Sequence, residues 1–333
     1  MRALVLEGKD QQFIYKEVDK PALSEGEVLV KIKATSFNRR DYWIKKGQYT
    51  GLKFPIILGS DGSGIVVDAF NQENKHLLEQ EVIINPSLHW GGSEDYQAKE
   101  FNILGLPENG TFAEFVKVPV ENIHKKPAHL SFTEAATIPL AGLTSYRALF
   151  SKANLQKGEN VLIVGAGAGT STFAILWAVA VGANVYVTSG NQEKIEAAKK
   201  LGAIDGVIYK DEDWDQQLLQ KVNGFDVIMD SALGEGFAKH LNYVNPGARI
   251  VFFGGTAGNL PELNGRIIFW KQVQILGTTM GSPKDFSNLL KFIEEHQIHP
   301  IVDSVYNLED GNDAMELMEN SEQFGKIVLS IEE

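Results

Sequence analysis

At 333 residues, with 44% hydrophobic and 22% charged side chains, the chain is long enough for two domains that each bury a core. A net charge of −12 with no basic stripe argues against a nucleic-acid surface. With no cysteine there are no disulfides, thiolate nucleophiles or thiolate metal sites, and with no signal peptide or membrane-length apolar run the expected location is cytoplasmic, away from membranes.

In chain order, Met1 to Glu7, Phe13 to Val18 and Glu27 to Ala34 are short apolar or alternating runs broken by Gly and Pro, which predicts a β-rich start. Residues 36–49 mix aromatic, amide and charged groups in a short helix or loop. The stretch that follows surrounds Asp61 with Gly59, Gly62, Gly64, Ser60 and Ser63, a pattern of backbone packed tightly beside a pocket. Strand-like sequence continues to a boundary near residue 125. Beyond it, Ser131 with Glu134 three residues later predicts a capped helix start.

Residues 158–194 then read as strand, turn, helix and strand. Val161 to Val164 is a buried parallel strand by composition, and Gly165-Ala166-Gly167-Ala168-Gly169-Thr170 is the turn. Phe173, Ala174, Leu176, Trp177 and Val179 form a helix closed by Gly182, and Val185 to Val187 starts the next strand. Small residues at Gly167, Ala168 and Gly169, followed by Thr170, let a pyrophosphate approach N–H groups at a helix N-terminus, although Thr170 breaks the strict G-x-G-x-x-G spacing. The second strand ends in Ser189-Gly190-Asn191 without the carboxylate that usually accepts from a ribose 2′-hydroxyl. Ser189 can donate to a 2′-phosphate and Lys194 can neutralise it; the plain alternative for Lys194 is a solvated first-turn lysine. The expected cofactor is NADPH.

The succession resembles the medium-chain dehydrogenase/reductase superfamily, in its zinc-free, quinone-oxidoreductase-like branch. The residues that carry the resemblance are Asn38 to Gly47, Leu58 to Gly64, Gly110 to Phe115, Ile138 to Tyr146, the dinucleotide unit, Phe269-Trp270-Lys271 and Phe324 to Leu329. It implies an α/β fold: a GroES-like β-rich catalytic domain over 1–124, completed by 272–333, plus a Rossmann doubly wound parallel sheet over 125–271. It also implies a homodimer or homotetramer joined through Rossmann-domain edges. Where zinc-dependent members typically hold their catalytic metal with two Cys and one His, this chain aligns Asn38, Ser60 and Leu140, poor ligands or none. The structural-zinc lobe, Trp90 to Gly105, lacks every Cys. The expectation is therefore no metal.

By the same resemblance Asn38, Tyr49 and Thr144 line the nicotinamide pocket as hydrogen-bond donors to the substrate oxygen. Tyr49 alternatively is a half-buried turn tyrosine, and Thr144 is expected at a helix N-terminus against nicotinamide or phosphate. Tyr209 is expected beside the 2′-phosphate, Ser231 beside the ribose and nicotinamide, and Thr278 near the nicotinamide. Switch-point reasoning adds Phe253 and Gly255, with Phe253 alternatively plain core. Lys326 either touches cofactor phosphate or caps a surface. The implied reaction is zinc-independent hydride transfer from NADPH to a small molecule, a quinone or an α,β-unsaturated ketone or aldehyde. The alternatives are an enoyl-thioester reductase, which favours Tyr49 as donor, and a catalytically silent NADPH-binding protein.

Overall fold

The computed structural model describes residues 1–331. The first ten strands are β1 (Arg2–Leu6), β2 (Ile14–Glu17), β3 (Glu27–Ser36), β4 (Ile56–Ile57), β5 (Asp61–Ala69), β6 (Glu81–Ile84), β7 (Ser87–Leu88), β8 (Asn102–Ile103), β9 (Phe115–Pro119) and β10 (Ile123–Lys125). Three helices belong to this stretch and its exit: α1 (Arg39–Lys45), α2 (Phe132–Ala135) and α3 (Pro139–Tyr146). An alternating series follows: β11 (Asn160–Ile163), α4 (Gly169–Ala180), β12 (Asn184–Ser189), α5 (Gln192–Lys200), β13 (Asp205–Ile208), α6 (Trp214–Lys221), β14 (Phe225–Asp230), α7 (Gly236–Tyr243), β15 (Val244–Phe252), α8 (Gly265–Lys271) and β16 (Gln274–Gly277). The chain closes with α9 (Pro283–His296), β17 (Val302–Asn307), α10 (Gly311–Asn320) and β18 (Lys326–Ser330).

The chain divides into two compact units, Met1–Leu143 together with Gly281 onward, and Thr144–Met280. The expected limits at 124/125 and 271/272 differ from this division at both crossings. At the first, the stretch after 125 is tied to the β-rich unit: the Ser63 hydroxyl donates to the Phe132 carbonyl at 2.6 Å and Ser36 to the Ala136 carbonyl at 2.9 Å. At the second, β16 pairs in parallel with β15, from Arg249↔Gln274 to Phe252↔Gly277, so 272–280 stays with the parallel sheet.

In the first unit a seven-stranded sheet runs β10-β6-β5-β3-β18-β17, with β9 also on β3, beside a three-stranded sheet β2-β1-β4. Its core gathers Leu4, Leu6, Val28, Ile32, Phe37, Phe112 and Leu329. The alternation visible in β3 is the reason: Val28, Val30 and Ile32 are buried while Lys31 is only partly so. Gly64 permits the closest approach in this sheet, since a Cβ there would stand 2.1 Å from the Lys31 carbonyl oxygen. β18 arrives from the end of the chain and pairs Val328 with Ser36, which brings Lys326 and Asp61 to the same end of β3.

In the second unit the sheet is fully parallel in the order β13-β12-β11-β14-β15-β16. The order reverses between β11 and β14, the switch point at which doubly wound sheets open a crevice. Leu162, Phe225, Ile228, Phe237, Tyr243 and Ile250 form its core. Among the described residues, no helix is long and apolar enough to cross a membrane.

Candidate active site

In the first unit the polar centre is Asp61, the first residue of β5, fully buried. A buried carboxylate is stable only when its lone pairs are met. Its Oδ2 accepts from Ser36 Oγ at 2.8 Å, Asn38 Nδ2 at 2.8 Å and Lys326 Nζ at 2.9 Å. Its Oδ1 accepts from the Leu140 N–H at 2.7 Å, in the first turn of α3, where the helix dipole favours an anion. The Leu140 side chain offers no ligand, but its backbone does the holding.

Lys326 is 3% exposed, so it caps no surface. Its three ammonium hydrogens go to the Phe37 carbonyl at 2.6 Å, Asn38 Oδ1 at 2.7 Å and Asp61 Oδ2. No donor is left over for a cofactor phosphate, which corrects the expected cofactor contact. Because an ammonium only donates, Asn38 must turn its oxygen to Lys326 and its nitrogen to Asp61, which fixes the amide orientation. One Nδ2 hydrogen remains.

Asn38 precedes α1 in extended conformation, and its N–H donates to Asp41 Oδ2 at 2.8 Å. Burial of Asp41 raises its pKa to about 6, against the lowering effects of Arg40 and the Asn38 N–H. Arg40, to which the sequence reading assigned no role, spends all of its guanidinium locally. It donates to Tyr49 Oη at 3.3 Å, Ser60 Oγ at 3.2 Å and the carbonyls of Ile103, Leu104 and Leu106. Tyr49 is a half-buried tyrosine whose ring faces the guanidinium at 5.1 Å and whose hydroxyl accepts from it. An arginine two residues after Asn38, in a run that is otherwise helix-forming, was the available signal.

The residues at the metal-ligand positions do not fit zinc. Asn38 Oδ1 is bonded to an ammonium, Ser60 Oγ donates to the Leu104 carbonyl at 2.7 Å, and Leu140 has no donor atom. Among the described residues no group of three or more His, Cys, Asp or Glu could hold a metal ion. The cysteine-free lobe is closed by other means: Trp90 Nε1 donates to the Ser93 carbonyl at 2.8 Å and its ring meets Phe101 edge-on at 5.3 Å.

In the second unit β11 ends in the glycine-rich turn. Gly167 has φ +114°, a conformation closed to most residues, and a Cβ there would stand 2.6 Å from Lys194 Cδ, so the lysine lies across the turn. Ala168 offers α4 no side-chain cap, which leaves the first-turn N–H groups at Gly169 and Thr170 for an anion. At the end of β12, a Cβ on Gly190 would stand 2.7 Å from Tyr209 Oη and 3.1 Å from Lys210 Cε. Tyr209 is half-exposed, and Lys210, missed in the sequence, joins it. Ser189 is the correction here: it is buried, and its hydroxyl donates inward to the Ala166 carbonyl at 3.3 Å, so that hydrogen serves the turn.

Further along, the Phe253 N–H donates to the Asp230 carbonyl at 3.1 Å and Thr256 Oγ1 to the Ser231 carbonyl at 3.2 Å. Phe253 is half-buried and Gly255 exposed, so Phe253 is not plain core. Thr278 carries a buried hydroxyl without a hydrogen-bond partner, the kind of orphan that a bound amide would satisfy. Thr144 lies five residues after Pro139, inside α3 rather than at its start, with its hydroxyl 3.9 Å from Met280 Sδ. The expected helix N-terminal placement belongs instead to Leu140. The turn, the uncapped α4, the Lys194 cover and the Thr278 hydroxyl together fit a nicotinamide dinucleotide.

Comparison with known proteins completes the picture. Residues 24–128 match the alcohol dehydrogenase GroES-like domain and residues 169–295 the zinc-binding dehydrogenase domain. The chain is 33% identical, over 94% of its length and 93% of the relative's, to zinc-type alcohol dehydrogenase-like protein YogA of Leptosphaeria maculans. It belongs to the medium-chain dehydrogenase/reductase superfamily. As a member it is an oxidoreductase. A crystal structure of an NAD-dependent alcohol dehydrogenase shares this superfamily fold at TM-score 0.89 and 34% identity, each chain covered in full. An acryloyl-coenzyme A reductase of Metallosphaera sedula is 27% identical over 99% of this chain and 100% of its own.

Proposed function

We propose that this superfamily member is a zinc-independent reductase that uses NADPH to deliver hydride to a conjugated carbonyl, a quinone or an α,β-unsaturated ketone or aldehyde. The observation that carries this reading is the Asn38–Asp61–Lys326 cluster. Of the three positions that would hold a metal, Asn38 is instead bonded to the Asp61 carboxylate and the Lys326 ammonium, Ser60 is bonded to the Leu104 carbonyl, and Leu140 has no side-chain donor. A conjugated acceptor spreads the incoming charge and needs less Lewis-acid help than a simple ketone, which agrees with donors in place of a metal.

When bound, NADPH supplies the hydride. The remaining Nδ2 hydrogen of Asn38 serves the oxygen on which charge builds, and its orientation is set before substrate arrives. Tyr49 accepts from Arg40, so its own hydrogen is directed elsewhere and offers a second donor or the proton that completes the reduction. NADPH over NADH rests on Lys194, Tyr209 and Lys210 around Gly167 and Gly190, with Glu193 exposed and no carboxylate at the strand end. The relatives named as NAD-dependent make NADH the comparison to run.

The acryloyl-coenzyme A relative and the hydroxyl of Tyr49 favour an enoyl-thioester substrate as the second reading. A homodimer or homotetramer accords with Trp270 and Phe269, 82% and 68% exposed on α8, beside the open edge strand β16.

The deciding experiment follows oxidation of NADPH and of NADH with quinones, enones, an enoyl thioester and simple ketones, with and without chelator. Chelator-resistant turnover of quinones or enones with NADPH is expected. Activity confined to simple ketones and abolished by chelator would overturn the reading, and binding of NADPH without turnover of any acceptor would leave a silent binding protein.

A further inference from the structure

Beneath the β14–α7 connection lies a buried chain of three polar side chains that hydride transfer does not use. Asp230, the last residue of β14, turns Oδ1 back to accept the Ala232 and Leu233 N–H groups at 2.6 and 3.0 Å. Its Oδ2 meets His240 Nε2 at 2.6 Å, and His240 Nδ1 meets the Tyr243 hydroxyl at 2.6 Å. None of the three is more than 2% exposed. The order of protons follows from the partners. Among the described residues the Tyr243 hydroxyl meets the imidazole alone, so we assign the neutral tautomer in which Nδ1 accepts from Tyr243 and Nε2 donates to the carboxylate.

Burial raises the pKa of Asp230, but the His240 hydrogen bond and the two N–H groups outweigh it and hold the group below the usual carboxylate range. His240 also meets the apolar core, with the Phe237 ring at 5.1 Å and Phe237 and Leu241 both in the buried cluster. A leucine would pack there at lower desolvation cost. The imidazole is explained by the carboxylate oxygen that it meets.

That carboxylate holds two connections at once. Leu233 sits at φ +56°, a left-handed conformation disfavoured for a branched residue, and its N–H is tied to Asp230. The Ala257 N–H donates to the Ala232 carbonyl at 2.8 Å and the Gly234 N–H to the Asn259 carbonyl at 3.2 Å, which sews the loop after β15 to the loop after β14. Ser231, Phe253 and Gly255 all lie on these two loops, outside the carboxyl ends of strands next to the switch point.

We propose that His240 is a positioning residue for the dinucleotide: backed by Tyr243, it locks Asp230 so that both loops present one fixed wall to the cofactor. This rests on the dinucleotide reading above. Dinucleotide affinity is to be measured by titrating NADPH and NADH into wild type, His240→Leu, His240→Gln and Tyr243→Phe, alongside cofactor KM and kcat. His240→Leu should weaken dinucleotide binding and raise cofactor KM about tenfold, while kcat at saturation stays within about threefold.

His240→Gln, whose amide can still donate to Asp230, should recover most of the loss, and Tyr243→Phe should fall between. Wild-type affinity in folded His240→Leu, or a fall in kcat with unchanged KM, overturns the role. If His240→Leu does not fold, dinucleotide affinity in folded Tyr243→Phe equal to that of wild type overturns it equally. Failure of wild type to bind either dinucleotide would remove the dinucleotide reading itself, a result distinct from a wild type that binds and a variant that binds as well.

Discussion

Lys326 Nζ stands 2.9 Å from Asp61 Oδ2 across 265 residues of chain, both side chains shut from solvent. Each justifies the other's burial. An isolated ammonium or carboxylate in this core would be neutralised or expelled, whereas the pair, with Asn38, Ser36 and the Leu140 N–H, is fully bonded.

Replacing one member should therefore be costly and replacing both much less so. Lys326→Met is expected to lower the unfolding free energy by about 3–5 kcal/mol by stranding Asp61. Lys326→Met with Asp61→Asn should recover most of it. Urea unfolding of the wild type, both single variants and the double variant would expose the coupling, and additive losses would contradict it.

Asn38 is expected to act on the reaction more than on the fold. Asn38→Ala should reduce kcat on an enone or quinone about 100-fold, in the range lost when one oxyanion donor is removed. Tyr49→Phe keeps the ring over Arg40 and should cost about tenfold if its hydroxyl hydrogen is used. Steady-state kinetics with NADPH saturating would separate these from changes in cofactor binding.

Asp41 gives a pH dependence of defined sign. Its folded pKa, raised to about 6 by burial, exceeds the unfolded value near 3.8, so the folded state takes up the proton first. Stability is unpenalised below about pH 4, falls as pH rises from about 4 to 6, and carries a full cost of about 3 kcal/mol above that. Asp41→Asn should thus gain on wild type as pH rises through this window. Parallel stability curves from pH 4 to 7 would show that burial of Asp41 is not titrating with the fold.

Lys194 should discriminate between cofactors. Lys194→Ala is expected to raise KM for NADPH about tenfold and to change KM for NADH less than about twofold, since only the former carries a 2′-phosphate to neutralise. Equal effects on both would assign Lys194 to the turn alone.

Trp270 should report on assembly. Trp270→Glu on the exposed face of α8 is expected to shift sedimentation of the protein towards a monomer while leaving its secondary structure intact. An unchanged sedimentation coefficient would place any interface elsewhere.

Features that rest on neighbouring residues were open to reading from the chain alone. The β11–turn–α4–β12 unit follows from a β-branched run, small residues and a helical apolar face within 30 or so positions, as typical of such units. Ser131 and Glu134 form the capping box that their spacing promised, and along α9 Phe286, Leu289, Leu290 and Ile293 recur at helical spacing on the buried face. The lack of cysteine already removed thiolate zinc.

What tertiary structure decided were contacts between distant residues and the direction of side chains. Nothing around Lys326 in sequence distinguishes a surface lysine or a phosphate contact from a buried partner of Asp61; pairing of β18 with β3 does. Ser189 turned inward because Ala166 offered a carbonyl, and Leu140 rather than Thr144 met the helix-start role because α3 begins at Pro139. Periodicity and capping are local energies, written in residues a few positions apart. Whether a polar side chain can be buried depends on which partner the fold delivers to it, and that is settled only when the sheets are assembled.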